Sequence, residues 1–157
     1  MSDSTPTSAA PALEQAAVAW SDPRRGAAFA AWLRQVAPAH GLQAATLRPA
    51  SADPSFRRYL RVGGDAGSYI VMDAPPERED CRPFVKVAAL MAHAGLNVPR
   101  VLAWDEPQGF MLLDDLGSRT MIEVVDAERP DANRPLYMRA VGALIAWQLA
   151  SPPRVVP

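Results

Sequence analysis

The chain has 157 residues, 16 Lys+Arg against 17 Asp+Glu, and a formal net charge of −1; that length holds one ordinary core rather than two. Near-neutral charge argues against a nucleic-acid binder, which would carry a basic stripe, and no run approaches the roughly 20 apolar residues of a membrane span. A single cysteine, Cys81, rules out an intrachain disulfide and a multi-cysteine zinc site, and residues 1–10 lack the basic and apolar regions of a secretory signal, so a soluble, cytoplasmic chain is expected.

Residues 1–23 are rich in Ala, Ser, Pro and Thr and read as a mostly disordered leader. Within it, residues 12–20 would make at best a marginal Ala-rich helix. A firmer helix is predicted over 26–36, where Phe29, Trp32, Leu33 and Val36 share a face, with Pro38 and Gly41 ending it. Strands follow over 42–49 and 56–62, separated by the loop 51–55. Residues 63–67 (Gly-Gly-Asp-Ala-Gly) form a hairpin turn, since glycine supplies positive φ, and a third strand covers 68–73.

After Pro75-Pro76 a helix opens at Asp80-Cys81-Arg82-Pro83, with Phe84, Val87, Ala88, Leu90 and Met91 as its apolar face and Gly95 as its cap. Two more strands are predicted over 98–105 and 109–113, then a short helix over 120–125. A long helix over 135–149 is apolar at Leu136, Val141, Leu144, Ile145 and Leu149. The predicted order is β-β-β-α-β-β-α-α, and the fold class is α+β. Three units are expected: the leader 1–23, a small lobe with its N-terminal helix and hinge over 24–117, and the start of a helical lobe over 118–157.

Five mostly antiparallel strands with one helix after the third is the plan of a protein-kinase-like N-terminal lobe. The plan alone does not give a function, but the local sequences add to it. Ala94-Gly95-Leu96-Asn97-Val98-Pro99 and Gly109-Phe110-Met111-Leu112-Leu113-Asp114-Asp115-Leu116-Gly117 resemble the region from the helix end through the fifth strand to the hinge in aminoglycoside-phosphotransferase-like kinases. Two further stretches, Ser51 to Tyr59 and Ile70 to Phe84, resemble the bacterial anomeric kinases of N-acetylmuramate and N-acetylglucosamine. Those enzymes phosphorylate a sugar C1 hydroxyl with ATP in cell-wall recycling. The resemblance covers roughly residues 42–149.

A kinase small lobe holds a triphosphate by backbone N–H groups, cations and Mg²⁺. The loop Asp53-Pro54-Ser55-Phe56-Arg57 sits where a glycine-rich loop would cover the phosphates, yet contains no glycine. Ser55, Phe56, Arg57 and Arg58 are therefore candidate phosphate contacts, against the alternative of a plain turn with solvated arginines. If Leu60 and Val62 face the adenine cleft, Arg58 points to the phosphates and Arg61 does not.

In protein kinases a third-strand lysine grips the α/β-phosphates and pairs with a glutamate of the next helix. Here Met72 or Asp73 occupies that place. Lys86 is the only lysine, and the helix over 82–94 has no acid. An arginine held by Asp73 is one substitute; weak nucleotide binding, or a turn-forming Asp73, is the other reading.

By the resemblance, the Asp114 carbonyl and Leu116 amide would hold adenine between walls at Val71, Leu102 and Met111 to Leu113. Without it, Asp114-Asp115 could pass for metal ligands, but the family's Mg²⁺ ligands come later in the chain. Cys81 and His93 read as bystanders at the two ends of their helix.

No His-x-Asp catalytic loop occurs in the sequence. The expectation is the nucleotide-binding lobe of a protein about twice this length, inactive alone, binding ATP here. Its Mg²⁺ ligands and amino-sugar acceptor site would belong to the missing lobe beyond residue 157, and neither nucleic acid nor a membrane is an expected partner. The alternative is a non-catalytic module that binds a nucleotide or a partner.

Overall fold

The computed structural model describes residues 18–51 and 56–150. Five strands form one sheet in the order β1-β2-β3-β5-β4, with every neighbouring pair antiparallel. They are β1 (Gln43–Ser51), β2 (Arg58–Gly64), β3 (Gly67–Asp73), β4 (Val101–Asp105) and β5 (Phe110–Asp114). Helix α1 (Pro23–His40) precedes the sheet and α2 (Arg82–His93) follows β3. The hinge then leads to α3 (Met121–Val124), a 3₁₀ turn at Pro130–Asn133 that the sequence did not announce, and α4 (Arg134–Ala150). The α+β plan with one helix inserted after the third strand is the expected one.

Helix α1 is longer than its apolar stripe. It starts at Pro23 because Asp22 caps it, its carboxylate accepting from the Arg24 amide at 2.9 Å. It passes through Pro38 rather than ending there. Pro38 lies on the exposed side, and only the carbonyl one turn back loses its intrahelical donor, to water. Gly41, with φ 58°, makes the left-handed stop.

Of the expected leader, residues 1–17 lie outside the described residues, as does most of the marginal helix over 12–20. From residue 18 onward the structure departs from disorder. Val18 and Trp20 pack onto the core, with the Trp20 ring 4.9 Å from that of Phe29. In the β2–β3 hairpin only Gly67 has a positive φ. Gly63 and Gly64 continue the strand instead, and Gly64 is needed for space: a Cβ there would lie 2.8 Å from the His40 carbonyl oxygen.

Alternation along the strands sorts the apolar residues onto two faces. One face carries Leu60, Val62, Val71, Phe110 and Leu112, which pack with Phe29, Trp32 and Leu33 of α1. The other carries Met72, Ala74, Met111 and Leu113, which pack with Cys81 and with Phe84 and Val85 of α2. Helix α2 sits more loosely than predicted: Val87 and Leu90, expected on its buried face, are exposed. The last helix, α4, has no buried residue, and Val141, Leu144, Ile145 and Leu149 are exposed.

One charge lies inside the α1 face. Asp73, 2% exposed, ends β3 and receives Arg25 of α1, whose Nε donates at 2.8 Å and whose Nη2 lies 2.6 Å away. Arg58 Nε stands 3.6 Å from its other oxygen. Both arginines reach further: Arg25 lies over the Phe110 ring and donates to the Gln108 carbonyl, and Arg58 lies over Trp20 and donates to the Ala19 carbonyl. The carboxylate thus ties α1, β2 and the segment before α1 to the sheet. Asp73→Asn keeps the shape but strands two partly buried guanidinium groups. It is expected to lower the urea-unfolding free energy by about 3 kcal/mol with an unchanged m-value, and a loss below about 1 kcal/mol would refute the clamp.

Candidate functional site

In protein kinases the third-strand lysine reaches both the phosphates and the helix after β3, so the corresponding side chain is the one that faces α2. That geometry decides between Met72 and Asp73. Met72, fully buried against the α2 cluster, occupies the lysine position; Asp73 points to α1 and is occupied there.

The same division splits the sequence-predicted site. Arg58, Val71 and Asp73 lie on the α1 face, and Leu60 and Val62 do not face a cleft but fill the α1 core. The walls Leu102 and Leu112 also belong to the α1 side. Phe56, 57% exposed, stacks under the Arg78 guanidinium and lines a cavity of about 350 Å³ with Trp20, Arg25, Arg58 and Asp73. The same cavity is lined by Asp22, Glu77 and Arg78, and its Arg25 and Arg58 both meet Asp73. Ser55 lies outside the described residues. Arg57, Met111 and Leu113 are the predicted residues that reach the α2 side, with Tyr59 and Ile70 beside them.

The hinge begins where β5 ends. Asp114 binds Arg100 twice, accepting from its amide at 2.5 Å and from its Nε at 2.6 Å. Asp115 turns the other way. It accepts from Arg61 Nε at 2.5 Å and Nη2 at 3.0 Å, from the Ser68 hydroxyl at 2.6 Å and from the Gly117 amide at 2.9 Å. The two adjacent carboxylates are therefore committed to separate arginines rather than converging on a metal, and no metal-binding group of His, Cys, Asp or Glu occurs among the described residues. Between them and Gly117, Leu116 is 51% exposed, and its amide has no hydrogen-bond acceptor among the described residues. It is an available backbone donor next to the buried wall of Leu113.

The pairing of Arg61 with Asp115 was not foreseen. Arg61 was read as the arginine that does not contribute, yet its fork braces β2 against the hinge. Its place on the Tyr59 face was the available signal. What β2 would face across the sheet was not in the local sequence.

Cys81 is not activated. Burial pushes its thiol above its ordinary range, against the lowering influence of Arg57. It occupies the α2 N-cap position without a side-chain cap bond; the Arg82 amide is instead bonded by Asp80.

A five-stranded sheet with its helix after β3 and an open backbone donor at the hinge is the small lobe of a kinase-like phosphotransferase. Sequence comparison agrees: the model of the phosphotransferase enzyme family matches residues 46–157, and the chain belongs to that family. The chain is 52% identical over 113 residues to the N-acetylmuramate/N-acetylglucosamine kinase of Pseudomonas aeruginosa, a span of 72% of this chain and 32% of that protein. With the enzyme of the same name from Pseudomonas putida it shares 44% identity over 105 residues, 67% of this chain and 30% of the relative. With that from Neisseria meningitidis it shares 38% over 128 residues, 80% of this chain and 37% of the relative. The chain spans about a third of the length of these curated relatives. No helix among the described residues is long and apolar enough to cross a membrane.

The hinge brace makes an acid-stability prediction. The Arg61 guanidinium, helped by Ser68 and the Gly117 amide and opposed by burial, holds the Asp115 carboxyl down at about 2, below the ordinary 3.8. A depressed folded-state value stabilises the fold above about pH 4, and that contribution disappears as pH falls towards 2. Its size is of order 1 kcal/mol, since the brace lies at the rim of the sheet. The stability difference between wild type and Asp115→Asn should therefore shrink between about pH 5 and pH 2 in thermal unfolding; a constant difference would refute the assignment.

Proposed function

We propose that the chain is the nucleotide-binding lobe of an ATP- and Mg²⁺-dependent kinase for the anomeric hydroxyl of N-acetylmuramate or N-acetylglucosamine, acting in the cytoplasmic recycling of cell-wall sugars. The sugar is taken from what the relatives are named for. The nucleotide is supported by the chain's own hinge, and the Leu116 amide beside Leu113, without an acceptor among the described residues, is the observation that carries it.

ATP supplies the phosphoryl group when bound. This chain's residues hold it: Ile70 and Leu113 wall the adenine, the Asp114 carbonyl accepts from its amino group and the Leu116 amide donates to the ring. Mg²⁺ ligands and the sugar site are assigned to residues other than those described. Nothing in this reading needs a nucleic-acid or membrane partner.

The test is thermal unfolding with and without Mg-ATP. Nucleotide at about 100 times its Kd should add about 2.7 kcal/mol to stability; no shift at millimolar ATP would overturn the reading. Leu116→Pro removes the donor and should cost about tenfold in ATP affinity, whereas Leu116→Ala keeps the N–H and should cost little. The exposed apolar stripe of α4, at Val141, Leu144, Ile145 and Leu149, favours a second reading, a partner-binding module. A protein that co-purifies on that stripe, with no response to ATP, would support it.

A further inference from the structure

Met72 leaves the nucleotide face without the cation that a phosphate-gripping lobe requires. Helix α2 supplies no acid to pair with one, and a fully buried methionine side chain has no charge to offer. Yet an ion pair stands on that face, built from neighbouring positions. Arg57, which follows Phe56 and directly precedes β2, donates from Nε to Glu79 Oε2 at 3.0 Å. Glu79 precedes α2 by two residues, with Asp80 and Cys81 between them.

We propose that Arg57 is the phosphate-binding cation of this lobe and that Glu79 is its positioning residue, the pair replacing a third-strand lysine and an α2 glutamate. The inference rests on the nucleotide reading above and names a residue within it. A guanidinium has five donors in a planar fork that matches phosphate oxygens, so it can keep one carboxylate while meeting a phosphate. Burial acts against its charge, and the Tyr59 and Glu79 side chains more than offset that, so it stays ionised. It is also partly open, its side chain 25% exposed at the edge of an apolar groove formed by Phe84, Val87 and Met91 of α2 with Val98 and Pro99. Arg58, one residue on, points through the sheet to Asp73. Arg61 is held in both directions of its fork by Asp115. Among the three arginines of this segment, Arg57 alone is on the α2 face and away from the hinge brace.

The experiment follows the Leu116 amide by NMR while the intact chain is titrated with Mg-ATP and, separately, with adenosine. Wild type should prefer ATP. Arg57→Ala should lose about tenfold or more of its ATP affinity and none of its adenosine affinity, and Arg57→Lys should recover most of the loss. Arg58→Ala should lower the unfolding midpoint but leave the ATP-to-adenosine ratio unchanged, a split that a merely structural Arg57 would also show. Glu79→Gln should lower ATP affinity several-fold at constant adenosine affinity. If Arg57→Ala does not fold, Arg57→Gln, which keeps a hydrogen-bonding partner for Glu79, takes its place. A wild type that answers to neither ligand overturns the nucleotide reading and this assignment with it. A wild type that binds both ligands equally, or an Arg57→Ala chain with an unchanged ratio, overturns the assignment alone.

Discussion

Asp73 is the constraint on which the arrangement depends. A carboxylate buried to 2% exposure persists only if cations meet it, and those cations come from α1 and β2. Successive residues of a strand point to opposite faces, so Asp73 turned to Arg25 and Arg58 leaves Met72 turned to α2. A one-residue slip of β3 would exchange them, putting the carboxylate among Met111, Leu113 and Phe84 and away from Arg25 and Arg58. The clamp on one face thereby fixes the composition of the other. It also holds the segment before α1, because Arg58 reaches the Ala19 carbonyl and covers Trp20.

A second brace governs the hinge. Asp115 is only 4% exposed at its side chain and gathers Arg61, Ser68 and Gly117, while its neighbour Asp114 is taken by Arg100. Two carboxylates held on opposite sides stretch the backbone between β5 and Gly117 into a defined path. Leu116 is left half-exposed, its amide without an acceptor among the described residues. A donor held in place by its neighbours loses little freedom when a ligand arrives, which is what a hinge contact to adenine needs. The close passage of Gly109 beneath β3 serves the same rigidity at the strand's start. Its φ is 70°, and a Cβ there would collide with the Ala74 carbonyl oxygen.

Much of this was legible in the chain. Phe29, Trp32 and Leu33 at helical spacing announced α1, and the Gly63 to Gly67 turn announced the β2–β3 hairpin. The run 109–113 announced a strand, observed over Phe110–Asp114, while the hairpin turn is tighter than read because Gly63 and Gly64 continue β2. What the sequence left open was facing. Arg58 was expected to point to the phosphates if Leu60 and Val62 faced a cleft, and Asp73 to hold an arginine; Asp73 does meet Arg58, and Arg25 with it, on the α1 side. Arg61 was read as idle, yet it carries the hinge. Alternation gives the two sets of a strand without saying which set meets which helix. Val87 and Leu90 were read as buried because they are apolar at the right spacing, but the described residues place nothing over them.

The sequence by itself determined the order of the strands and main helices, the stop of α1 at Gly41, the absence of a usable third-strand lysine and the family resemblance, since each rests on local chemistry or on strings of residues. Only the tertiary structure decided which face of the sheet is which. That choice depends on where α1 and α2 dock, and docking is settled by contacts between residues far apart in the chain: Arg25 with Asp73, Arg57 with Glu79 and Arg61 with Asp115. An ion pair has no period and no spacing to read. It exists once the fold brings its two halves together.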